Sequence, residues 1–173
     1  MQEQVNYNLA IASKYPEQVV IAVARDPGGK CNPIALGWTM ITSAAPPMMA
    51  VSIGARQYSV GAFRHALEFV ISFPSVPMEA DMLYFGTASG RDVDKLAARH
   101  TSTQPATVID CVLLSEAVAN FECVLEKDVQ TGDHVLFVGR VVAAHVNADA
   151  RVKRLMNFGG GRFAGAIPGA IES

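Results

Sequence analysis

Residues 121–146 read FECVLEKDVQTGDHVLFVGRVVAAHV and contain two extended segments separated by a Thr-Gly-Asp turn. In the first segment apolar residues alternate with more polar ones such as Glu122, which is typical of a strand in a sheet with one face in water. We therefore expect the Glu122 side chain on the wet face. The second segment, 134–146, is extended and almost continuously apolar. Two such segments around a Gly-Asp turn predict a long β-hairpin.

The first half of the chain contains further strand signals. Residues 19–24 form a short apolar run rich in β-branched side chains, which predicts a buried strand. The sequence DPGGK at 26–30 predicts a turn, because proline presets one backbone angle and glycine permits positive φ. One extended run at 34–43 is expected to complete a hairpin with the first strand. Two more strands are predicted at 48–53 and 69–73.

Short helices are predicted between these strands. Ser59 is a candidate N-cap for the first, a second covers 78–87, and a third covers about 92–100, with acidic residues at its start and basic residues at its end. Strands near both ends of the chain with helices between them exclude a βαβ alternation. The pattern predicts a mainly β fold, an antiparallel barrel with short α insertions.

The composition indicates one domain with a sizeable core, covering residues 1–173 with a C-terminal tail from about residue 147. Half of the 173 residues are hydrophobic and 17% are charged, which argues against disorder. A formal charge of −2 gives no long-range attraction to nucleic acid or an anionic membrane. We find no apolar run that would span a bilayer and no secretory signal, so a cytoplasmic location is expected.

The cysteines and histidines predict neither a disulfide framework nor a metal site. Cys31, Cys111 and Cys123 are scattered and form no C-x-x-C pair, so Cys111 and Cys123 are expected to be buried reduced thiols. Cys31 lies in a Lys-Cys-Asn segment compatible with exposure. The four histidines lie at none of the spacings of a helical metal site.

Four blocks of the sequence resemble proteins of the flavin reductase-like and flavoredoxin-like family. The blocks are NPIALGWT at 32–39 with SAAPP at 43–47, RQYS at 56–59, FGTASGRDVDK at 85–95, and GDH at 132–134 with Gly139 and Val141. They occur in the family's order and cover roughly residues 16–165, the size of a whole domain. The resemblance implies a six-stranded antiparallel split β-barrel, usually a homodimer, with FMN near the subunit interface.

Flavin binding requires donors for a phosphate, polar groups along the ring edge and a flat apolar floor. Arg56 is suited to bind phosphate oxygens bidentately, and Ser59 adds a hydroxyl and free backbone N–H groups at a helix start. From the residues alone, a solvated surface arginine is an equally good interpretation of Arg56. With the resemblance, the phosphate-side residues are Arg56, Tyr58, Ser59, Ser89, Gly90 and Lys95.

The ring side of the predicted site is the segment 37–43. Backbone groups of Thr39 and Met40, together with Ser43, are expected to bond the isoalloxazine edge, although strand-face hydroxyls explain Thr39 and Ser43 equally well without the resemblance. Trp38 is interpreted mainly as a core or dimer-interface aromatic. The ring-side residues are Asn32, Trp38, Thr39, Met40 and Ser43.

The resemblance implies a flavin oxidoreductase that passes electrons from NADH or NADPH to FMN, with FAD less expected, and then to an acceptor. His134 is the catalytic candidate, through contact with the nicotinamide or support of charge on reduced flavin; the alternative is a turn histidine facing water. Two other functions stay open: an electron carrier with tightly bound FMN reduced by a partner protein, and a flavin-binding module without turnover.

Overall fold

The computed structural model describes residues 1–166. The chain starts with helix α1 (Tyr7–Ile11) and a 3-10 turn (Ala12–Lys14), followed by strands β1 (Glu17–Gln18), β2 (Val20–Arg25), β3 (Cys31–Leu36), β4 (Thr39–Ala44) and β5 (Pro47–Gly54). Helix α2 (Tyr58–Ala66), strand β6 (Glu68–Phe73), a 3-10 turn (Val76–Met78) and helices α3 (Glu79–Thr87) and α4 (Lys95–Arg99) come next. The remaining strands are β7 (Thr103–Pro105), β8 (Val112–Leu114), β9 (Ala119–Thr131), β10 (His134–Val146), β11 (Arg154–Asn157) and β12 (Phe163–Ala166).

The main sheet is antiparallel and curls into a split barrel. Its strand order is β3-β2-β6-β9-β10-β5-β4, so its two edge strands are consecutive in the chain and are joined only by Gly37 and Trp38. Such a short connection requires the sheet to curl until its edges approach each other. At this connection the Ser52 N–H of β5 donates to the Trp38 carbonyl at 2.9 Å, which extends the β4–β5 pairing by one residue. The predicted fold class is confirmed.

The prediction of one extended run at 34–43 was wrong. β3 pairs with β2 and β4 pairs with β5, so the chain must bend between them to change partners. The bend lies at Gly37, where a Cβ would approach the Glu17 carboxylate to 3.0 Å. The main sheet therefore has seven strands, or six if β3 and β4 are counted as one bent strand.

Two groups of buried apolar residues lie on opposite faces of β2. Val20, Ala22 and Ala24 pack inside the barrel with Phe63, Phe69 and Phe137. Their neighbours Val19, Ile21 and Val23 pack outward, against α3 and the segment 109–117. Burial of both faces explains why 19–24 is a continuous apolar run instead of an alternating one.

The expectation that Glu122 lies on a wet face was wrong, because its side chain is 0% exposed. One carboxylate oxygen accepts from the Thr107 N–H and hydroxyl at 2.8 Å and from His145 Nε2 at 2.7 Å. The other accepts from the Val108 and Ile109 N–H groups at 2.8 and 3.1 Å. The segment 106–111 folds over this strand and replaces water with hydrogen-bond donors, which a periodic pattern does not reveal.

The helices lie near their predicted positions, with one change at a cap. Asp94 caps α4 by accepting from the Ala97 N–H at 3.1 Å, in line with the predicted acidic start. Helix α2 instead begins one residue before Ser59, and its N-cap is Gln57. Ser59 is buried inside the first turn and bonds to Asn32.

The stretch from residue 147, predicted only as a tail, contributes two strands. β11 and β12 form a small antiparallel sheet with β1, which fastens this stretch to the start of the barrel. Residues 167–173 of the predicted domain lie outside the described chain, so a single domain over 1–173 stays a prediction. Among residues 1–166, none of the helices is both long enough and apolar enough to cross a membrane.

Candidate functional site

An open cavity of about 1240 Å³ lies where the N-terminal segment meets the split in the barrel. The segment 7–17 covers one side, while β3, the end of β5, α3 and the turn between β9 and β10 form the rest of the wall. The volume exceeds the roughly 300–1,000 Å³ of ordinary small-molecule sites. Three of the predicted site residues line it: Trp38, Arg56 and His134.

Trp38 and His134 form an aromatic wall of this cavity. Their ring centroids are 4.6 Å apart and their planes are inclined by 41°. His134 is the first residue of β10, paired opposite Gly54 of β5, so the strand register places it at the cavity. A Cβ on Gly54 would lie 3.8 Å from His134 Nε2. The side chain therefore lies against the protein at the cavity, in contrast to a turn histidine that projects into water.

Asp133 orients the His134 ring. Its Oδ1 lies 2.6 Å from His134 Nδ1, and the hydrogen bond to this histidine lowers the pKa of Asp133. The Asp133 carbonyl also accepts from the Ala55 N–H at 2.9 Å, which fixes the turn against the loop after β5. Because a carboxylate only accepts, this arrangement keeps a proton on Nδ1 and leaves Nε2 for another partner.

Cationic donors gather on the same cavity. Arg56 lies in the loop between β5 and α2 and is exposed. Within the described residues, the N-terminus of α2 has no side-chain cap; the Val60 N–H donates to the Gln57 carbonyl at 3.1 Å, and the N–H groups of Tyr58 and Ser59 are available to an anion. The Lys14 ammonium lies 5.7 Å from the centre of the Trp38 ring and pairs with Glu17 at 2.5 Å.

Asn32, Tyr58, Ser59 and Gly90 come together behind this region. Asn32 Nδ2 donates to Ser59 Oγ at 2.9 Å, while the buried Asn32 Oδ1 has no hydrogen-bond partner within residues 1–166. Gly90 backs directly onto that oxygen, because a Cβ at this position would lie 1.9 Å from it. The Tyr58 hydroxyl donates to Asp26 Oδ2 at 3.0 Å. Glycine is required at position 90 for this close approach.

Lys95 is buried, with 4% of its surface exposed. Its ammonium donates to the Phe85 carbonyl at 3.1 Å, and it makes no ion pair in the described chain. Burial lowers the pKa of Lys95 to about 8. Phe85 precedes Gly86, which lines the cavity, so this uncompensated charge lies close behind the cavity wall. Ser89 is a turn residue whose Oγ accepts from the Arg91 N–H at 3.2 Å.

The other ring-side residues lie on β4, an edge strand outside the cavity lining. Thr39 Oγ1 donates to the Ala50 carbonyl at 2.9 Å, and the Thr39 carbonyl accepts from Gln18 Nε2 at 2.6 Å. Met40 is 53% exposed and its neighbour Ile41 is 76% exposed. Within this chain, the structure therefore does not bring Thr39, Met40 and Ser43 together with the cavity.

Several cavity residues had no signal in the sequence. The N-terminal helix α1 and Lys14 reach the cavity only because the chain folds back over β3. Tyr15 also lines it, and the ring of Tyr15 packs so closely on Gly159 that a Cβ there would lie 2.8 Å from it. Asp133 was within the Gly-Asp-His block, and its position next to the histidine was the available signal. In residues 1–166, no cluster of three or more histidine, cysteine, aspartate or glutamate side chains is arranged to hold a metal ion.

Comparison with known families gives one match over nearly the whole described chain. The model of the flavin reductase like domain matches residues 12–166. An uncharacterised protein of Pyrococcus abyssi is 33% identical over 75% of this chain and 73% of its own length. Another from Archaeoglobus fulgidus is 30% identical over 65% of this chain and 64% of its own. The stachydrine N-demethylase reductase subunit of Rhizobium meliloti is 29% identical over 75% of this chain but only 54% of the subunit.

Solved structures share the fold over the full length of the chain. An FMN-binding protein from Thermus thermophilus is 25% identical and covers 100% of this chain and 98% of its own, with a TM-score of 0.82. A flavoredoxin from Methanosarcina acetivorans is 22% identical over 100% and 95% of the two chains, with a TM-score of 0.85. An NADH:FAD oxidoreductase from Streptomyces globisporus is 19% identical over 97% and 99%, with a TM-score of 0.82.

Proposed function

Because this chain belongs to the flavin reductase like domain family, we propose that it binds FMN at the cavity and passes electrons from NADH or NADPH through the flavin to an acceptor. The observation that carries the proposal is the cavity itself, where the Trp38–His134 aromatic wall and the cationic group Arg56 line the same space. FMN has a flat tricyclic ring and, at the end of its ribityl chain, a phosphate. An aromatic wall suits the ring, and a cationic side chain suits the phosphate. We propose FMN over FAD, and a cytoplasmic location.

The donor set fits an anionic flavin. Arg56 and the uncapped start of α2 supply donors for a phosphate. Lys95 supplies a buried positive charge without a partner in the described chain, which an anion nearby would stabilise. The Asn32 Oδ1 atom is a buried acceptor without a donor in the same part of the chain, but Gly90 covers it and Asn32 does not line the cavity, so its contact with the flavin stays a prediction.

Flavin supplies the chemistry of the reaction when bound, because it accepts a hydride and releases electrons to an acceptor. The residues of this chain bind and orient the reactants. We assign His134 to the contact with the nicotinamide or to support of negative charge, with Asp133 fixing its ring. The Trp38 ring packs against the His134 ring, with 4.6 Å between centroids, and restricts its movement.

We further propose that the protein acts as a homodimer that uses the β4 edge. This strand is paired on one side only, and it exposes Met40 and Ile41 next to the half-exposed Trp38. A second copy seated there would bury these apolar side chains and bring Thr39 and Ser43 towards a shared flavin site.

The protein's molar mass by light scattering at micromolar concentration tests the dimer, and Ile41→Glu should yield monomers. A monomeric wild type would contradict the proposal.

The first experiment tests binding and turnover together. The purified protein is saturated with FMN, dialysed and mixed anaerobically with NADH or NADPH while the visible spectrum is recorded. Rapid bleaching of the flavin by either nucleotide supports the reductase. Bleaching only with a reduced partner protein supports an electron carrier, the second function, which the flavoredoxin-like segment 85–95 favours. No retained colour and no quenching of flavin fluorescence would contradict flavin binding.

The Arg56→Ala variant tests the phosphate contact. It should weaken FMN binding by about tenfold or more, because a charge-assisted contact contributes roughly 1.5–3 kcal/mol. Riboflavin, which lacks the phosphate, should bind as before. Arg64→Ala is the matched control, because Arg64 lies on α2 but pairs with Asp128 at 2.7 Å. Equal losses for FMN and riboflavin would defeat the assignment of Arg56.

The His134→Ala variant tests the proposed role in turnover. It should slow reduction of bound FMN by NADH or NADPH by about 10²-fold, the lower range for removal of a positioned catalytic group. The loss of FMN affinity should be much smaller, because Trp38 and Arg56 still line the cavity. His65→Ala, at an exposed position of α2, is the control. Reduction at the wild-type rate would remove His134 from the mechanism.

A further inference from the structure

Two cysteines that are distant in the sequence lie side by side on the outer face of the barrel. Cys31 is the first residue of β3 and stands opposite Arg25 of β2. Cys111 lies in the loop before β8, and its Sγ lies 3.5 Å from the Val23 carbonyl oxygen of β2. Val23 and Arg25 share one face of β2, because side chains alternate along a strand. Both side chains pack into the same apolar cluster on this face of β2, where each thiol influences the titration of the other.

The loop that carries Cys111 is held in place from several directions. Arg25 donates to the Asp110 carbonyl at 3.3 Å and to its carboxylate at 2.8 Å. The Ala106 N–H donates to the Cys111 carbonyl at 3.0 Å, and the Glu122 carboxylate binds the loop from below. A thiol on a fixed loop stays next to its neighbour, which favours reaction between the two sulfur atoms over reaction with a second molecule.

The surroundings activate Cys31 and leave Cys111 protonated. The hydrogen bond with Cys111 and the positive charge of Arg25 outweigh the effect of burial and lower the pKa of Cys31 to about 7. The same hydrogen bond, together with burial, raises the pKa of Cys111. Cys31 is only half-buried, so small molecules can reach it. An accessible thiolate beside a cation is the usual environment of a reactive cysteine.

We propose that Cys31 and Cys111 form a redox-active dithiol that hydrogen peroxide or another hydroperoxide oxidises to a disulfide. The Cys31 thiolate attacks the terminal peroxide oxygen and the O–O bond breaks. The leaving hydroxide takes up a proton to give water, or the leaving alkoxide of an organic hydroperoxide takes one up to give an alcohol. The Cys111 sulfur then displaces the hydroxyl of the Cys31 sulfenic acid, and its proton leaves with that hydroxyl as a second water. Two thiols lose two electrons in total, and one peroxide gains them. The proposal does not depend on flavin binding.

Cys123 provides an internal control. It lies inside the barrel, 0% exposed, among the residues that pack around Phe69 and Phe137. Burial and the neighbouring Glu122 charge raise its pKa to about 12. Cys123 should therefore stay reduced while the other two cysteines react, and its thiol serves as the reference in the same molecule.

The test uses the full chain, reduced with a thiol reagent, freed of it, and treated with a slight excess of hydrogen peroxide. The protein is then unfolded, alkylated and digested for mass spectrometry. Two of the three thiols should become resistant to alkylation, and a peptide linking Cys31 to Cys111 should appear, lighter than the two separate peptides by two hydrogen atoms. Three alkylatable thiols after treatment, or Cys31 oxidised to sulfinic acid beside an alkylatable Cys111, would overturn the proposal.

Single variants separate the two sulfurs. In Cys111→Ser, Cys31 should stop at the sulfenic acid, which dimedone traps; in Cys31→Ser, Cys111 should remain alkylatable. Cys123→Ser should form the disulfide as the wild type does. The wild-type peptide map decides the question even if a variant fails to fold. Disulfide-linked dimers on a non-reducing gel, in place of the internal link, would also count against the pair.

Discussion

Glu122 and Lys95 are both buried charged residues, yet their surroundings are opposite. The Glu122 carboxylate accepts five hydrogen bonds, from Thr107, Val108, Ile109 and His145. The Lys95 ammonium donates one, to the Phe85 carbonyl, and has no counter-charge within residues 1–166. Glu122 fastens the loop 106–111 to the outer side of β9, whereas Lys95 lies behind the wall of the cavity.

The comparison distinguishes a charge that stabilises the fold from one held ready for a ligand. A buried charge is costly unless hydrogen bonds or an opposite charge replace its water. At Glu122 the protein itself supplies the hydrogen bonds that replace water. At Lys95 most of these interactions are missing, which is expected of a site that a bound anion completes. Removing the charge should therefore lower the free energy of unfolding at Glu122 and raise it at Lys95.

The largest effect is expected for Glu122→Gln, which should lower the free energy of unfolding by about 3 kcal/mol. The substitution keeps the shape but turns one acceptor into a donor that faces other donors. Urea denaturation of the flavin-free protein measures the change. Glu116→Gln, at an exposed position, is the control and should stay within roughly 0.5 kcal/mol of wild type. A loss below roughly 1 kcal/mol for Glu122→Gln would erase the contrast with Lys95.

Acid should remove the contribution of Glu122 gradually. Burial alone would raise the pKa of Glu122, but the hydrogen bonds from Thr107, Val108 and His145 lower it to about 2. The stabilisation is therefore complete above the ordinary glutamate pKa of about 4.3 and is lost as the pH falls towards about 2. The difference in unfolding free energy between wild type and Glu122→Gln should shrink across this range. A constant difference would mean that the carboxylate charge is not the stabilising feature.

The smallest effect has the opposite sign and is expected for Lys95→Met. Removing an uncompensated buried charge should stabilise the flavin-free protein by about 1–2 kcal/mol at neutral pH, while FMN binding weakens by about tenfold. Because the pKa of Lys95 is lowered to about 8, folded wild type binds fewer protons than the unfolded chain between pH about 8 and about 10.4, so wild-type stability rises across that range. The stability advantage of Lys95→Met over wild type should therefore disappear as the pH rises through this range.

Lys127→Met is the control for that prediction, because Lys127 is exposed on β9. It should change neither the stability of the flavin-free protein nor its affinity for FMN. If Lys95→Met destabilises the flavin-free protein and leaves FMN binding unchanged, Lys95 is a structural residue as Glu122 is. The proposed difference between the two buried charges would then be wrong.

Much of the fold followed from local patterns. The hairpin of β9 and β10, the strands β2, β5 and β6, and helix α3 all lie where periodicity and turn residues predicted them. The wrong predictions fall at two kinds of position: where the chain changes its strand partner, and where a loop covers a strand face that was expected to contact water. The run at 34–43 divides at Gly37 because the two halves join opposite edges of the sheet. β11 and β12 are short strands in a small sheet where β11 pairs with β1 from the start of the chain and β12 pairs with β11.

The candidate site was predicted in part, through residues that share a block. Trp38, Arg56 and His134 line the cavity, although Trp38 was interpreted mainly as a core or dimer-interface aromatic, and Asn32, Ser59 and Gly90 form one buried cluster behind it. The contribution of the N-terminal segment could not be predicted, since its apolar residues show no pattern that points to the barrel. The proximity of Cys31 and Cys111 could not be predicted either, because the spacing of residues in the sequence does not indicate contacts between distant segments.

By itself, the sequence determined the family, the mainly β architecture and three of the residues that line the cavity, because motifs and side-chain periodicity act over a few neighbouring positions. The tertiary structure alone decided which charges are compensated and which thiols meet. Glu122 and Lys95 look equally polar in the sequence, and only the loops that fold over them determine that one is saturated with hydrogen bonds and the other is not. The energy of a buried charge depends on neighbours brought in from distant parts of the chain.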